Sequence, residues 1–514
     1  MKWSHLAGPI VLCAAIGVSP VMAQPKSLGT ISFPNSGAKE AQDSFLAGVK
    51  YLHSFEFDDA AESFREAQKA DPGFALAYWG EAMSYNHPLW AEQDFAAARK
   101  VLTKLGATRA ERLAKAKTEK EKDLLDAVET LFGEGDKLTR DFAYSDAMAK
   151  AFQKQTNDHE VACLYALSLL GTVRPGDHGF RRQMLAASIV EKVFKENPDH
   201  PGAAHFLIHA FDDPEHAPLG LPAADAYAKI APAAGHANHM PSHIFLQRGM
   251  WEKAAASNVA AYNSSVDWAQ RKGLSTSRRD FHSLSWLQYA YLQLDQAAKA
   301  KETIDWIAQV AGESPTPRVT SVYESMRARQ IIETQKWEKI AIPGATPTGQ
   351  AVPMDGASRN YDASTALLLA AGISGAKLGD LDTARQAESR LKAMRESQQT
   401  AGRTYAAKNI EIMEKEVGAV IKIAEKQPDA ALALAKAATE IEASLDPPSG
   451  PPEPIKPSHE LYGELLLDAG HYADAVKAFE EALMRMPNRR LSVLGMQQAK
   501  AKATPKTTAS APQP

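Results

Sequence analysis

Between His205 and His243 the chain reads HFLIHAFDDPEHAPLGLPAADAYAKIAPAAGHANHMPSH, a stretch holding six of its fifteen histidines. Two pairs stand at i, i+4: His205 with His209, and His239 with His243. That spacing sets both rings on one helix face, which is how a single helix offers two imidazole ligands to one metal ion. Asp212 extends the first stripe to i+7, and His236 joins His239 and His243 at i, i+3 and i+7. Imidazole nitrogen suits zinc and copper, so the cofactor these residues imply is a divalent metal, zinc or copper. His205, His209, His239 and His243 are the first-choice ligands. Asp212, Asp213 and Glu215, with His216 beside them, are placed to ligate, to orient a ring N–H or to act as a general base. Without a metal, the same groups would serve as hydrogen-bonding partners for a peptide, or as a face that responds to pH because imidazole titrates near neutrality.

Helices must position these rings. Over 201–213, Ala204, Leu207, Ile208 and Phe211 form a packing stripe beside the histidine stripe, and Pro214 ends the run. In the next histidine helix Met240, Ile244 and Phe245 take the packing positions. The two pairs are 34 residues apart, member for member, and so are His53 and His87. A 34-residue period is that of a helix–turn–helix repeat. Near the N-terminus Gly48, Tyr51, Ala60, Phe64, Ala67 and Pro72 fall at the spacings of one such unit. Gly463, Leu466, Ala475, Phe479, Ala482 and Pro487 repeat those offsets near the C-terminus. Weaker units are outlined by Ala82 and Tyr85, by Ile208 and Phe211 with Ala224, by Phe245 with Trp251 and Ala254, by Leu287 with Ala300, and by Gly372 with Ala384. Gly48 and Ala60 are small where two antiparallel helices must cross closely.

This pattern resembles the tetratricopeptide repeat, and more narrowly the secreted bacterial repeat proteins with histidine-rich motifs in their first helices. The resemblance implies an all-α fold, an α-solenoid of stacked helix pairs wound into a superhelix with a concave groove. It also implies that the first helices line that groove, bringing His53, Asn86, His87 and the histidine stripes onto the ligand-contacting side. The run SYNHPLW around Asn86 and His87 is expected to close one end.

The chain-wide features set the context. Of 514 residues 45% are hydrophobic and 23% charged, with a formal net charge of −4, ordinary for a globular protein and without the basic stripe that nucleic acid would need. Residues 1–23 read as a signal peptide: Lys2, an apolar run from Leu6 to Val21, then Val21-Met22-Ala23 before Gln24. A periplasmic or secreted location follows, and no later run is apolar enough for a membrane span. Removing that segment removes Cys13 and leaves Cys163 alone, so the fold relies on packing without an intrachain disulfide.

The expected organisation is a leader at 24–40 and a helical array at 41–341 containing the histidines. A Pro/Gly loop at 342–360, helical repeats at 361–446 and a Pro-rich loop at 447–457 follow. A C-terminal repeat at 458–500 and a low-complexity tail at 501–514 complete the chain. No phosphate-binding loop, dinucleotide fingerprint or nucleophile elbow is present, so no motif assigns a reaction. Two functions stand: a scaffold binding a protein or peptide in its groove, or a metal-dependent hydrolase or oxidoreductase built on the same groove.

Overall fold

The computed structural model describes residues 27–177, 179–342 and 363–504. The expected signal peptide, most of the 342–360 loop, His178 and the end of the tail lie outside them. The described chain is all-α, apart from one two-stranded antiparallel ribbon pairing Asn86–His87 with Glu92–Gln93. Successive helices pack as antiparallel pairs, and each helix also meets the one two places on along much of the chain. That is the contact pattern of a stacked repeat.

One interlocking device appears at both ends. A Cβ on Gly48 would lie 2.9 Å from the Phe64 ring, and one on Gly80 2.3 Å from it. Phe64, on the helix Phe57–Ala70, is therefore clamped between glycines of the helices before and after, Gln42–His53 and Ala75–Met83. Gly463, Phe479 and Gly495 repeat this arrangement at the same spacing, with 2.9 and 2.3 Å. Only hydrogen at these glycines lets an aromatic ring fill the helix crossing.

The middle units follow the outline read from the sequence. Pro201–Ala210 pairs with Ala217–Ile230, Pro241–Gln247 with Trp251–Arg271, Phe281–Gln293 with Ala297–Glu313, and Ala363–Leu378 with Leu381–Thr400. The unit beginning at Phe281 is set back from the repeat interval by the length of Trp251–Arg271, 21 residues, and the turn beyond it. Both reach back to the first unit, where Trp268 donates to Asp59, Lys272 pairs with Asp59 and Glu62, and Arg278 pairs with Asp58.

Two segments outside the helix pairs are packed elements. The leader is seated across the histidine region: Thr30 N–H donates to Asp199 O, Ala233 N–H to Ser27 O, and Phe33 is buried against Phe45 and Trp79. The Pro-rich loop is likewise a packed element. Pro448, Gly450 to Pro452 and Pro454 to Pro457 are buried, Gln247 Nε2 donates to Pro448 O at 2.9 Å, and Gly450 lies against Trp286. Prolines suit a buried extended segment because each leaves one backbone N–H fewer to satisfy. Buried Arg489 ties the C-terminal unit to the middle by pairing with Glu333 at 2.6 Å and Glu460 at 2.7 Å.

Candidate metal centre

The helix Pro201–Ala210 opens on His200, whose Nδ1 accepts the Ala203 N–H at 3.2 Å, with Pro201 at the first helical position. This helix presents His205 and His209. The second histidine helix begins at Gly235, where the half-buried Glu56 carboxylate from the first unit accepts the His236 N–H. It is interrupted at Met240, because Pro241 has no N–H for the carbonyl of Ala237, and resumes as Pro241–Gln247. His236 and His239 precede the break, and His243 follows it. A third helix, Phe281–Gln293, starts after the Asp280 cap and brings His282.

These rings form two adjacent groups of three, His205 with His209 and His236, and His239 with His243 and His282. In the first, His205 Nε2 is 3.1 Å from both His209 Nε2 and His236 Nε2. In the second, His239 Nε2 is 3.1 Å from His243 Nε2. The four first-choice ligands therefore do not converge on one point. Each i, i+4 pair takes its third ring from the helix that follows, and the helix carrying His236, His239 and His243 serves both groups.

The far side of each ring decides its chemistry. His205 Nδ1 meets the carbonyl oxygen of His53 at 2.6 Å, so it carries the proton and leaves Nε2 bare. His239 Nδ1 is 2.7 Å from Asn258 Oδ1, and the Asn258 amide nitrogen donates to Ala254 O, so this Nδ1 is a donor too. His243 Nδ1 is 2.6 Å from Asp212 Oδ2 and donates to it. The ε nitrogens of His239 and His243 thus present lone pairs to each other at 3.1 Å. Burial pushes the imidazoles of His209, His236 and His239 well below their ordinary range, with neighbouring imidazoles adding to the effect, and pushes His205 down to about 3 and His282 to about 4. Neutral rings with outward-tied δ protons are the state in which imidazole ligates a metal.

A third group, His53 with Glu160 and His200, has the opposite polarity. His200 Nδ1 already accepts a backbone N–H, so its Nε2–H donates to Glu160 at 3.1 Å, while His53 Nε2–H donates to the other carboxylate oxygen at 2.7 Å. All three are fully buried, and protons rather than lone pairs point inward. This is a satisfied hydrogen-bond group. It holds the turn whose carbonyl orients His205. Buried Cys163 lies 3.9 Å from the His200 ring, and burial pushes its thiol up.

The remaining candidate residues lie as follows. Asp212 touches the centre through His243. Asp213 instead accepts from the backbone N–H groups of Glu215 and His216 and from the His216 ring, closing the turn before Ala217. Glu215 is exposed, and His216 packs on Phe180. The two acids and His216 therefore belong to the turn, because the helix closes at Ala210 with Phe211 as its cap, short of the expected end at 213. The His53 side chain belongs to the Glu160 group. Asn86 and His87 form the ribbon, with Asn86 accepting from Gln93 and His87 stacked on Phe57 at 4.1 Å. The run they belong to reaches the histidines through Trp90, 6.3 Å from His236.

Four contributors were not singled out from the sequence. His282 lacks an i, i+4 partner, but it is the second residue of its helix, as His236 is. Phe55 stands 4.4 Å from His205 and holds φ +56, a left-handed backbone costly for a phenylalanine. Trp286 walls the second group at 4.5 Å from His243 and 5.0 Å from His239. Asn258 orients His239.

No family of known proteins matches the chain, and no curated protein matches it. Among solved structures, yeast Tom70 aligns over 90% of this chain and 89% of its own, with 11% identity and a TM-score of 0.32. A human IFIT1 dimer with m7Gppp-AAAA aligns over 92% of each chain at 12% identity and a TM-score of 0.38. Cut9 with Hcn1, from the APC/C, aligns over 91% and 78% at 14% identity and a TM-score of 0.33. Likeness at this level carries no functional argument, and the helix packing described above stands on its own. Among the described residues no helix is long and apolar enough to cross a membrane.

Proposed function

We propose that this chain is an exported helical-repeat scaffold that holds metal ions at two histidine triads. The observation that carries the reading is the His239–His243 pair. Two ε nitrogens meet at 3.1 Å while both δ nitrogens are committed to acceptors. Two lone pairs facing each other in a buried site repel, and a cation between them turns that repulsion into ligation. In the other triad His205 turns its bare Nε2 to the ε nitrogens of His209 and His236, 3.1 Å from each. Zinc and copper are the ions that match neutral imidazole donors.

Binding of a protein or peptide along the repeat surface belongs to the same proposal, since stacked repeats expose extended faces. Beside Trp286 that surface is already taken by the chain's own Pro448–Gly450 segment, so a partner would engage the stack elsewhere or displace this segment. Export rests on the segment before Gln24.

The test is metal analysis of untagged protein, as purified and after dialysis against zinc or copper. Retention of metal against a weak chelator, reduced by about half in His239→Ala and in His205→Ala and lost in the double variant, supports the proposal. Wild-type protein that keeps no metal refutes it. An N-terminus at Met1 on protein found in the cytoplasm would remove the export part.

A further inference from the structure

We propose that the two triads act together as a dicopper centre that takes up dioxygen between its metals. The inference rests on the metal-site reading above and goes beyond it by naming the metal, the pairing and the ligand class.

The first support is adjacency. Across the boundary between triads, the ring centroids of His209 and His243 are 5.8 Å apart and those of His236 and His239 6.1 Å. These separations are comparable with those inside a triad, 4.8 Å for His205–His209 and 5.0 Å for His239–His243. One helix supplies rings to both groups, so the two ions cannot be distant from each other. Each triad has three protein ligands, which leaves a coordination position for an exogenous ligand.

The second support is charge. All six donors are imidazoles, and no carboxylate or thiolate belongs to either triad. Among the described residues the carboxylate hydrogen-bonded to a triad ring is Asp212, which reaches the outer nitrogen of His243. The walls are aromatic, with Phe55 and Tyr227 against His205 and Trp286 against His239, His243 and His282. In such a setting, repulsion between the ions scales with the product of their charges. Two dications repel about four times as strongly as two monocations at the same separation. A buried centre built only from neutral donors therefore favours the cuprous pair over two zinc ions. Imidazole is a ligand type that copper accepts.

The third support is that the dioxygen step conserves this charge. Each Cu(I) gives one electron, and the two electrons reduce O2 to a peroxide dianion held between two Cu(II) ions. One Cu–O bond forms at each metal, the O–O bond falls from double to single, and no proton moves. The net charge of the pair with its ligand is +2 before and after. Oxidation without a bridging dianion would leave +4 in the same aromatic pocket.

The experiment loads the full chain with Cu(I) under anaerobic conditions, counts copper, then admits dioxygen. The expected result is two coppers per chain, uptake of one O2 for every two coppers, a new ligand-to-metal absorption in the near ultraviolet, and no paramagnetic signal from isolated Cu(II). His282→Ala and His209→Ala should each hold about half the copper and lose the uptake. His216→Ala, outside both triads, should keep both. If two coppers bind but air yields isolated paramagnetic Cu(II) with no stoichiometric uptake, the dicopper inference fails and the metal sites stand. If zinc binds but copper does not, the dicopper inference fails alone; if neither binds, both fall. Should one triad variant fail to fold by circular dichroism, the other carries the same comparison.

Discussion

Asp212 Oδ2 lies 2.6 Å from His243 Nδ1, joining the end of one histidine helix to the middle of the next. The carboxylate does three things for the ring. It fixes the tautomer, sets the ring plane and raises the basicity of Nε2. Partners of this kind are typically worth about 10–100-fold in metal affinity. Asp212→Ala should weaken metal binding by about that factor while helical circular dichroism is unchanged. Competition against a chromophoric chelator measures it, and unaltered affinity would mean that His243 is not a ligand.

The division into two triads predicts a pattern of coupling. His205→Ala and His209→Ala strike one group, so the double variant should lose no more metal than either single. His209→Ala and His243→Ala strike different groups, so their losses should add. Metal content per chain across the two double-mutant cycles distinguishes this arrangement from a single four-histidine site, in which every pair would be non-additive.

Gly48 and Gly463 carry equivalent roles against Phe64 and Phe479. Gly48→Leu should force the ring out of the helix crossing and cost about 1–3 kcal/mol, the range for overpacked cores. Gly463→Leu should cost a similar amount. Denaturant midpoints of both variants test the shared register, and a midpoint unchanged by Gly48→Leu would contradict it.

Arg489 is buried with Glu333, Glu460 and the Tyr289 hydroxyl. Arg489→Ala leaves buried Glu333 without its cation and Glu460 with Lys456 alone, and should destabilise the protein by about 3–5 kcal/mol. The same group predicts acid sensitivity. Burial alone would raise the Glu460 carboxyl, but Arg489 and Lys456 outweigh it and hold it down to about 2. A depressed carboxyl stabilises the fold above its unfolded value of about 4.3 and loses that contribution as pH falls towards its folded value. Stability should therefore decline between about pH 4 and pH 2, and less so in Glu460→Gln. An acid-denaturation series followed by circular dichroism reads both effects.

Local information determined a good deal of this protein. The offsets from Gly48 to Pro72 and from Gly463 to Pro487 specify helix pairs, because small, aromatic and proline positions each meet a steric demand of the same local crossing. The i, i+4 pairs and the 34-residue interval place His205, His209, His239 and His243 on neighbouring helices for the same reason. Only the tertiary structure decided how those rings are shared. His282 joins His239 and His243 because the Phe281–Gln293 helix is stacked beside them, and no spacing within one helix reports that contact. His53 turns away to Glu160 and lends only its carbonyl, since a buried carboxylate 107 residues on competes for its ring. Asp213 and Glu215 are lost to the turn after Phe211 while Asp212, one position earlier, reaches the next repeat. The Pro447–Pro457 segment, loop-like by composition, becomes a buried cover over Trp286. Periodicity encodes which face of a helix a side chain occupies, but which proton each imidazole keeps depends on the acceptor that the fold brings to its other nitrogen.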